Sequence, residues 1–171
     1  MNAVKIAKKI VPESGLLYLK TVNRNRKKTG EFINQELEID GVKFLCSSVL
    51  MGVPHIVIFT PNLDLDTLKK YGPLIEKHSL FPKKTNVNFA KILNKNHIQV
   101  QTWERGAGYT LACGTGVTSV CGVAHYLGLA EEKITVDVDG GRLIITIAQD
   151  SSIYMEGPAV DICQGLYFWK F

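Results

Sequence analysis

The sequence GTGVTSVCGVAHYL at residues 114–127 predicts a buried α-helix, and this helix decides the fold class. Its apolar residues recur at helical spacing, at positions 117, 120, 121, 124 and 127, and small residues fill most of the other positions. A helix that is apolar on nearly every side packs inside a protein rather than on its surface. We therefore expect the rest of the chain to be built around this segment.

β-Strand patterns precede and follow this helix. Asp40 and Gly41 predict a type I′ turn between strands at residues 36–40 and 42–49. Further strands, including a second hairpin around a DGG turn, are expected at residues 16–22, 56–59, 87–93, 98–104, 134–138, 143–147, 152–155 and 160–168.

Two short helices complete the prediction. Residues 64–71 are expected to form a helix that ends at Gly72, and Pro73 is expected to start another that runs to about residue 78. The fold class is therefore α+β. We expect a single domain over residues 1–171, in which an antiparallel, barrel-like sheet wraps around a central α-helix.

The composition fits a folded domain. Of the 171 residues, 46% are hydrophobic and 21% are charged, which is typical of a protein with a buried core. No apolar run reaches the roughly 18 residues of a membrane span, and residues 1–20 lack the apolar region of a secretory signal. Four cysteines without CxxC spacing predict neither a disulfide scaffold nor a metal site. Reduced thiols in the cytoplasm are the expectation.

The charge distribution does not indicate a nucleic-acid partner. The formal net charge is +4, and the densest basic run lies at residues 20–28. This run contains no aromatic residues and belongs to no known nucleic-acid-binding motif. We interpret it as a solvated loop or hairpin, and we expect neither nucleic acid nor a membrane as a partner.

Residues 103–116, WERGAGYTLACGTG, carry the strongest indication of chemistry. Cys113 directly precedes the predicted helix, whose first turn offers free N–H groups and the positive end of the helix dipole. Such a place binds a carboxylate or phosphate. It also lowers the pKa of a cysteine to about 3.5–7.5. We therefore expect Cys113 to be a reactive thiolate with a pKa below that of an ordinary cysteine, and nearby Arg105 would favour the same form.

Other interpretations of these residues stay open at this point. Cys113 could be an inert buried thiol, as most unpaired cysteines are. Glu104 and Arg105 could be a weak surface ion pair. His55, at the start of a predicted strand, could act in acid–base chemistry, although lone histidines are usually structural. Asn86 could present its amide to a ligand or cap a turn.

Six motifs together resemble the diaminopimelate epimerase family. The run at residues 103–116 is the most specific, and the other five support it. They are MGVPHIVIF at residues 51–59, GPLIEKH at 72–78, FPKKTNV at 81–87, DGG at 139–141 and YMEGPA at 154–159. The resemblance covers about residues 45–165, whereas residues 1–44 match it loosely.

The resemblance implies a fold and an activity. The family has two pseudosymmetric lobes, each a β-barrel around a central helix, and it interconverts LL- and meso-2,6-diaminopimelate in lysine and peptidoglycan biosynthesis. It uses neither pyridoxal phosphate nor a metal, so we expect no cofactor. Each lobe supplies one cysteine, and the two thiols exchange the α-proton on opposite faces of the substrate.

The resemblance also implies roles for single residues. Cys113 matches the catalytic cysteine of the second lobe. His55 and Glu104 match groups that help to set the protonation of that cysteine. The substrate-binding positions, which hold an amino-acid substrate by its amino and carboxylate groups, are Asn86, Glu104, Arg105, Gly114 and Thr115.

The sequence departs from the family pattern in three places. Val53 stands where the family has an asparagine that contacts substrate, and Tyr109 replaces a usual Glu or Gln. No run like MCGNG, which carries the cysteine of the first lobe, occurs in the chain. We therefore expect a C-terminal lobe that is inactive alone and takes a missing N-terminal lobe as its partner. The apolar segments at residues 4–11 and 166–171 are expected either to pair as strands or to be left without the partner that the missing lobe would supply, in which case the chain would self-associate.

Three other functions remain under consideration. One is a related cofactor-independent racemase or isomerase with another substrate, which Val53 favours. Another is a Cys–His hydrolase in which Cys113 attacks and His55 is the base. The third is a non-catalytic lobe that binds an amino acid or a protein partner.

Overall fold

The computed structural model describes residues 8–10, 32–160 and 163–169. Within them the chain forms ten strands and two helices, so the α+β class is confirmed. The strands are β1 (Lys8–Ile10), β2 (Gln35–Ile39), β3 (Val42–Met51), β4 (Val53–Phe59), β5 (Asn86–Asn94), β6 (His97–Glu104), β7 (Gly108–Thr110), β8 (Lys133–Val138), β9 (Gly141–Ile147) and β10 (Ile153–Glu156). The helices are α1 (Leu65–Glu76) and α2 (Gly114–Tyr126).

The strands form one mixed sheet. Its order is β1-β10-β9-β8-β6-β5-β4-β3-β2, and β7 pairs with β6 beside this path. Two neighbouring pairs, β4 with β5 and β6 with β8, are parallel, and the others are antiparallel. The sheet is therefore antiparallel for the most part, as expected, and mixed because of these two pairs. Each parallel pair is joined through a helix, because a chain that returns to run in the same direction needs a long crossover.

Helix α2 lies on one face of the sheet, as residues 114–127 predict. Val117, Val120, Val123 and Ala124 are fully buried in a core that the strands from β3 to β10 complete. The helix ends at Tyr126, within one residue of the predicted end. Its apolar character on nearly every side is therefore explained by burial.

Helix α1 covers the opposite face of the sheet with a core of its own, which includes Leu68 and Ile75. The expectation of two short helices with a break at Gly72 and Pro73 is wrong, because α1 continues through both residues. A Cβ at Gly72 would lie 2.8 Å from Cγ of Trp103. Because Gly72 has no side chain, α1 can pack closely against the sheet at this point, and the glycine does not end the helix.

The predicted hairpins are confirmed. Asp40 and Gly41 have positive φ angles, 49° and 77°, as a type I′ turn requires. The hairpin of β8 and β9 turns at the DGG sequence, at residues 139–141. Strand β1, in the apolar segment at residues 4–11, pairs with β10 of this chain, so residues 8–10 form a strand whose partner is not the missing lobe.

The strands expected at residues 160–168 and 16–22 have other outcomes. Val160 and residues 163–169 contain no strand, so the strand expected at residues 160–168 is wrong for the described part of that segment. The strand expected at residues 16–22 and the basic run at residues 20–28 lie outside the described residues. No helix in the described residues is both long and apolar enough to cross a membrane.

Candidate active site

The first turn of α2 meets the ends of three central strands. Cys113 is the residue before the helix and has extended backbone, with φ −134° and ψ 107°. Met155 on β10 packs against the helix start, where a Cβ on Gly114 would lie 3.0 Å from its Cε. The predicted position of Cys113 at a helix N-terminus is therefore confirmed.

Burial raises the pKa of the Cys113 thiol. The side chain of Thr115, whose Oγ1 lies 3.6 Å from the sulfur, and the N–H of Gly116 act in the opposite direction but do not outweigh burial. Both the charge of Glu104 and its hydrogen bond to the thiol raise the pKa further. The expectation of a thiolate with a lowered pKa is wrong, because Cys113 is 7% exposed and its charged neighbour is Glu104 rather than Arg105.

Asn86 ties the strand ends together beside Cys113. Its Oδ1 accepts a hydrogen bond from the main-chain N–H of Arg105 at 2.7 Å, and its Nδ2 donates to the main-chain oxygen of Pro54 at 3.2 Å. The Arg105 guanidinium donates through Nη1 to the main-chain oxygen of Lys83 at 2.8 Å. Asn86 and Arg105 are thus held at one edge of the site by main-chain partners.

His55 is fully buried on β4. Its Nδ1 lies 3.3 Å from Nδ2 of Asn88, and among the described residues its Nε2 has no hydrogen-bond partner. Burial, and to a lesser degree the charge of Arg105, lower the pKa of His55 to about 4. A Cys–His hydrolase needs a hydrogen bond between the nucleophile and its base, and the observed contacts of His55 give that function no support.

Two buried residues around Cys113 were missed by the sequence analysis. Asn88 accepts a hydrogen bond from Oγ1 of Thr102 at 3.1 Å, and both residues lie behind the first turn of α2. A Cβ on Gly116 would lie 2.4 Å from Oδ1 of Asn88 and 3.3 Å from the Cys113 sulfur. No local motif marks this network, because its members lie far apart in the sequence.

A second missed group supports Glu104 and Arg105 from the other face of the sheet. Nε1 of Trp103 donates to the buried carboxylate of Glu76 at 2.9 Å, at the end of α1. The indole also packs against Gly72. Helix α1 therefore anchors β6 at the residue that precedes the two candidate substrate ligands.

The loop between β6 and α2 is fastened to the DGG turn. The Tyr109 hydroxyl donates to the carboxylate of Asp139 at 2.7 Å, and the N–H of Gly140 donates to the main-chain oxygen of Leu111 at 2.7 Å. The presence of Tyr109, which departs from the family pattern, is thus explained by a contact within the chain.

The remaining thiols differ from Cys113 in their surroundings. Burial raises the pKa of Cys46 to about 12, and it also raises the pKa of Cys121. Cys163 is exposed. Within the described ranges, no group of three His, Cys, Asp or Glu residues could hold a metal ion.

The sequence model described as diaminopimelate epimerase matches residues 47–162. The chain belongs to the diaminopimelate epimerase family. This match contains every site residue considered above, from His55 to Thr115, and it agrees with the resemblance found in the motifs.

Named relatives in the diaminopimelate epimerase family are similar over most of this chain. A diaminopimelate epimerase of Alkaliphilus metalliredigens is 60% identical over 137 residues, which are 80% of this chain and 48% of the relative. One from Methanocaldococcus jannaschii is 43% identical over 159 residues, 88% of this chain and 54% of the relative. The chain therefore spans about half the length of the curated relatives it matches.

A solved structure shares the fold. A probable proline racemase from Agrobacterium radiobacter K84, determined with bound carbonate, superposes with a TM-score of 0.53 at 14% identity. The superposition covers 72% of this chain and 45% of the racemase. The fold expected for the diaminopimelate epimerase family is thus also found in a structure of very different sequence.

Proposed function

We propose that residues 1–171 are the C-terminal lobe of a diaminopimelate epimerase, a single domain that supplies one of two catalytic cysteines. The observation that carries this proposal is the position of Cys113, which directly precedes α2 and whose sulfur lies 3.6 Å from Oγ1 of Thr115 in the first turn of that helix. The coverage of about half of each curated relative supports the view that a second lobe completes the enzyme.

The reaction is a transfer of one proton through two thiols. A thiolate on one face takes the α-proton of the amino acid and becomes a thiol, while the electron pair of the broken C–H bond spreads into the α-carboxylate. The thiol on the opposite face then gives its proton to the α-carbon and becomes a thiolate. Two groups are needed because a single base would return the proton to the face it left.

Cys113 is the proton donor of its lobe at rest. Its raised pKa keeps the sulfur protonated near neutral pH. In the reverse direction Cys113 is the thiolate that takes the α-proton, and the negative charge of Glu104, which raises the pKa of this thiol, favours the protonated form that results. Glu104 thereby sets the protonation of the cysteine.

The other site residues bind the amino-acid substrate. The N–H groups of Gly114 and Thr115, at the start of α2, bind the α-carboxylate and stabilise the charge that develops on it. Each fixed donor of this kind contributes about 3–4 kcal/mol to the transition state. Arg105 and Asn86 bind the remaining carboxylate and amino groups, and both are held in position by the strand ends.

The remaining parts of the proposal concern cofactors, partners and location. The two-thiol reaction needs neither pyridoxal phosphate nor a metal. A thiol that must stay reduced fits the cytoplasm, which is where we place the enzyme. The partner of this lobe is the N-terminal lobe, with a second copy of the chain as the alternative.

The test is an assay of the complete protein, which is the chain with its N-terminal lobe. Cys113→Ser should abolish epimerisation of LL-diaminopimelate, because a serine hydroxyl is a far weaker acid than a thiol and is not ionised to a base at neutral pH. Cys163→Ser is the matched control, since Cys163 is exposed, and it should keep full activity. In D₂O the product should carry deuterium at the α-carbon. Turnover by Cys113→Ser within tenfold of wild type would contradict the two-thiol mechanism.

A second candidate function is racemisation or isomerisation of a different amino acid by the same two-thiol chemistry. Val53, at the start of β4, favours it, because a valine cannot make the hydrogen bond to substrate that the family's asparagine makes at this position. A substrate panel separates the two functions, together with Val53→Asn in the complete protein. Faster turnover of diaminopimelate by Val53→Asn and of another amino acid by wild type would favour this second function.

A further inference from the structure

Glu76 is a carboxylate at a position that disfavours one. It is the last residue of α1 and is only 4% exposed. Burial removes a charged group from water, and the C-terminus of a helix is the negative end of its dipole. Residues that break such local preferences are typical of functional sites. The groups that contact Glu76 therefore indicate what it does.

One oxygen of Glu76 holds the indole of Trp103. Nε1 of Trp103 donates to Oε2 of Glu76 at 2.9 Å. The far end of the ring lies against β7, since a Cβ on Gly108 would lie 3.5 Å from its Cη2. Trp103 directly precedes Glu104 and Arg105. Because Gly108 follows these two residues, the indole contacts both ends of the turn that carries them.

Glu76 also fastens the segment that receives the side chain of Arg105. The main-chain oxygen of Glu76 accepts a hydrogen bond from the N–H of Thr85 at 3.3 Å, and its Oε1 lies 3.8 Å from Nζ of Lys84. Lys84 has a φ of 58°, which is uncommon for a residue with a side chain. The oxygen of the peptide bond between Lys83 and Lys84 is the acceptor for Nη1 of Arg105, at 2.8 Å.

We propose that Glu76 is a positioning residue that holds Arg105 in the orientation in which it binds a carboxylate of the amino-acid substrate. The inference rests on the proposed function. One line of contact runs from Glu76 through Trp103 to the main chain of Arg105, and the other runs through Lys83 to the guanidinium. A guanidinium has five N–H donors in a fixed fork. The contact with Lys83 therefore orients the group and leaves a pair of donors for a carboxylate.

The proposal predicts which kinetic constant depends on Glu76. In the proposed function Arg105 binds the carboxylate that is remote from the reacting carbon, and the charge of that carboxylate does not change during proton transfer. Interactions that are equally strong in substrate and transition state lower KM and leave kcat unchanged. Loss of Glu76 should therefore raise KM, whereas a loss of folded protein would lower the apparent kcat.

The orientation of Arg105 can be followed in this chain by ¹⁵N relaxation of its Nε–H group. We expect an order parameter above about 0.8 in wild type and below about 0.6 in Glu76→Ala. Glu76→Gln keeps an oxygen for the indole and should remain close to wild type. Ile75→Val is the matched control, because it truncates a buried side chain in the same turn of α1 and should leave Arg105 ordered. An order parameter that is the same in Glu76→Ala and wild type would overturn the proposal.

The hydrogen bond to the indole can be tested by hydrogen exchange in the same chain. The chain has two tryptophans, and Trp169 is 68% exposed, so it serves as the internal control. The indole hydrogen of Trp103 should exchange at least about 100-fold more slowly than that of Trp169, and Glu76→Ala should remove most of this difference. Equal rates in wild type would overturn the proposal. If Glu76→Ala does not fold, Trp103→Phe removes the same hydrogen bond and replaces it in the relaxation and kinetic measurements.

Activity of the complete protein tests the role in substrate binding. Glu76→Ala should raise KM for diaminopimelate about tenfold and change kcat by less than about twofold. Glu76→Gln should recover most of this loss, and Ile75→Val should keep the wild-type KM. In an Arg105→Ala background, Glu76→Ala should raise KM by less than about a further twofold, because its effect passes through Arg105. An equal rise in both backgrounds, or a lowered kcat with unchanged KM, would overturn the proposal.

The two kinds of measurement separate this inference from the proposed function. If the wild-type complete protein does not epimerise diaminopimelate, the proposed function fails. The order of Arg105 in this chain does not depend on that outcome, and it still decides whether Glu76 holds Arg105 in place.

Discussion

The main-chain N–H of Arg105 donates to the side-chain oxygen of Asn86 at 2.7 Å, across 19 residues of sequence. The other end of the same amide reaches the main-chain oxygen of Pro54. One side chain therefore joins the starts of β4 and β5 to the end of β6. These hydrogen bonds hold the main chain of Arg105 at a fixed position relative to β4 and β5.

We predict that Asn86→Ala destabilises this chain by about 1–3 kcal/mol, because it leaves the part-buried N–H of Arg105 and the oxygen of Pro54 without their partner. Urea unfolding followed by fluorescence measures the change. Asn94→Ala is the control, since it removes an exposed bond to the N–H of Asn96, and its cost should be about 0.5 kcal/mol or less. Equal costs for the two variants would contradict the assigned role of Asn86.

Gly116→Ala should lower the stability of the chain and Gly122→Ala should raise it, although both glycines lie in α2. A Cβ at Gly116 meets Asn88, which its three partners prevent from moving, so we expect destabilisation of about 1–3 kcal/mol. A Cβ at Gly122 has ordinary contact with Ile153 at 3.5 Å. The second variant should therefore stabilise the chain by up to about 1 kcal/mol through helix propensity. Thermal unfolding shows whether each variant is more or less stable than wild type. A Gly116→Ala variant that is more stable than wild type would refute the packing argument.

Acidification should destabilise the chain through His55. Its pKa is about 4 in the folded protein and 6.5 as the ordinary value. Between these pH values the unfolded chain binds the extra proton, so stability falls as pH falls from 6.5 towards 4, by about 2–3 kcal/mol. Unfolding free energies at several pH values should show this loss, and His55→Gln should flatten it. His125→Gln, at the far end of α2, should retain it.

Thiol labelling should show a raised pKa for Cys113. The rate of reaction with iodoacetamide, followed by peptide mass spectrometry, should have its midpoint above that of a free cysteine, about 8.5, because burial disfavours the thiolate. Glu104→Gln removes a negative charge and should move the midpoint to lower pH. Glu131→Gln, in an exposed ion pair with Lys95, should leave it unchanged. A wild-type midpoint below that of a free cysteine would restore the thiolate expected from the sequence.

The C-terminal segment should promote association. Leu166, Tyr167, Phe168 and Trp169 are 68–90% exposed, which is unusual for large apolar residues in a row. We expect this chain to self-associate with increasing concentration and to bind a separately expressed N-terminal lobe, as measured by sedimentation. A chain that ends at residue 160 should neither self-associate nor bind the N-terminal lobe. Leu45→Ser removes one exposed leucine elsewhere, and this variant should still self-associate and bind the N-terminal lobe.

Local sequence signals predict several parts of the molecule. The helix at residues 114–127 is predictable because its apolar spacing reflects burial. The turn at Asp40 and Gly41 is predictable because few residues adopt positive φ. The position of Cys113 is predictable for the same kind of reason, since a cysteine directly before the GTG sequence of a helix start is visible in the sequence.

The parts that could not be predicted depend on residues far apart in the sequence. His55 and Asn88 are 33 residues apart, and only the parallel pairing of β4 with β5 brings them together. The direction of the pKa shift of Cys113 depends on burial, which no local motif shows. Gly72 and Pro73 are typical of a helix boundary, but the contact with Trp103 determines their place inside α1.

The two parallel strand pairs have a consequence for the synthesis of the protein. The strands β6 and β8 are connected through α2, so this pair can form only after the whole helix has been synthesised. Contacts between distant parts of a chain form slowly, because closing the intervening loop costs entropy before any contact is gained. Met155, which packs against the helix start beside Cys113, is synthesised 42 residues after the cysteine, so the sulfur lies next to an incomplete core until then. During that interval the protection of this sulfur from oxidation depends on the reducing power of the surrounding solution.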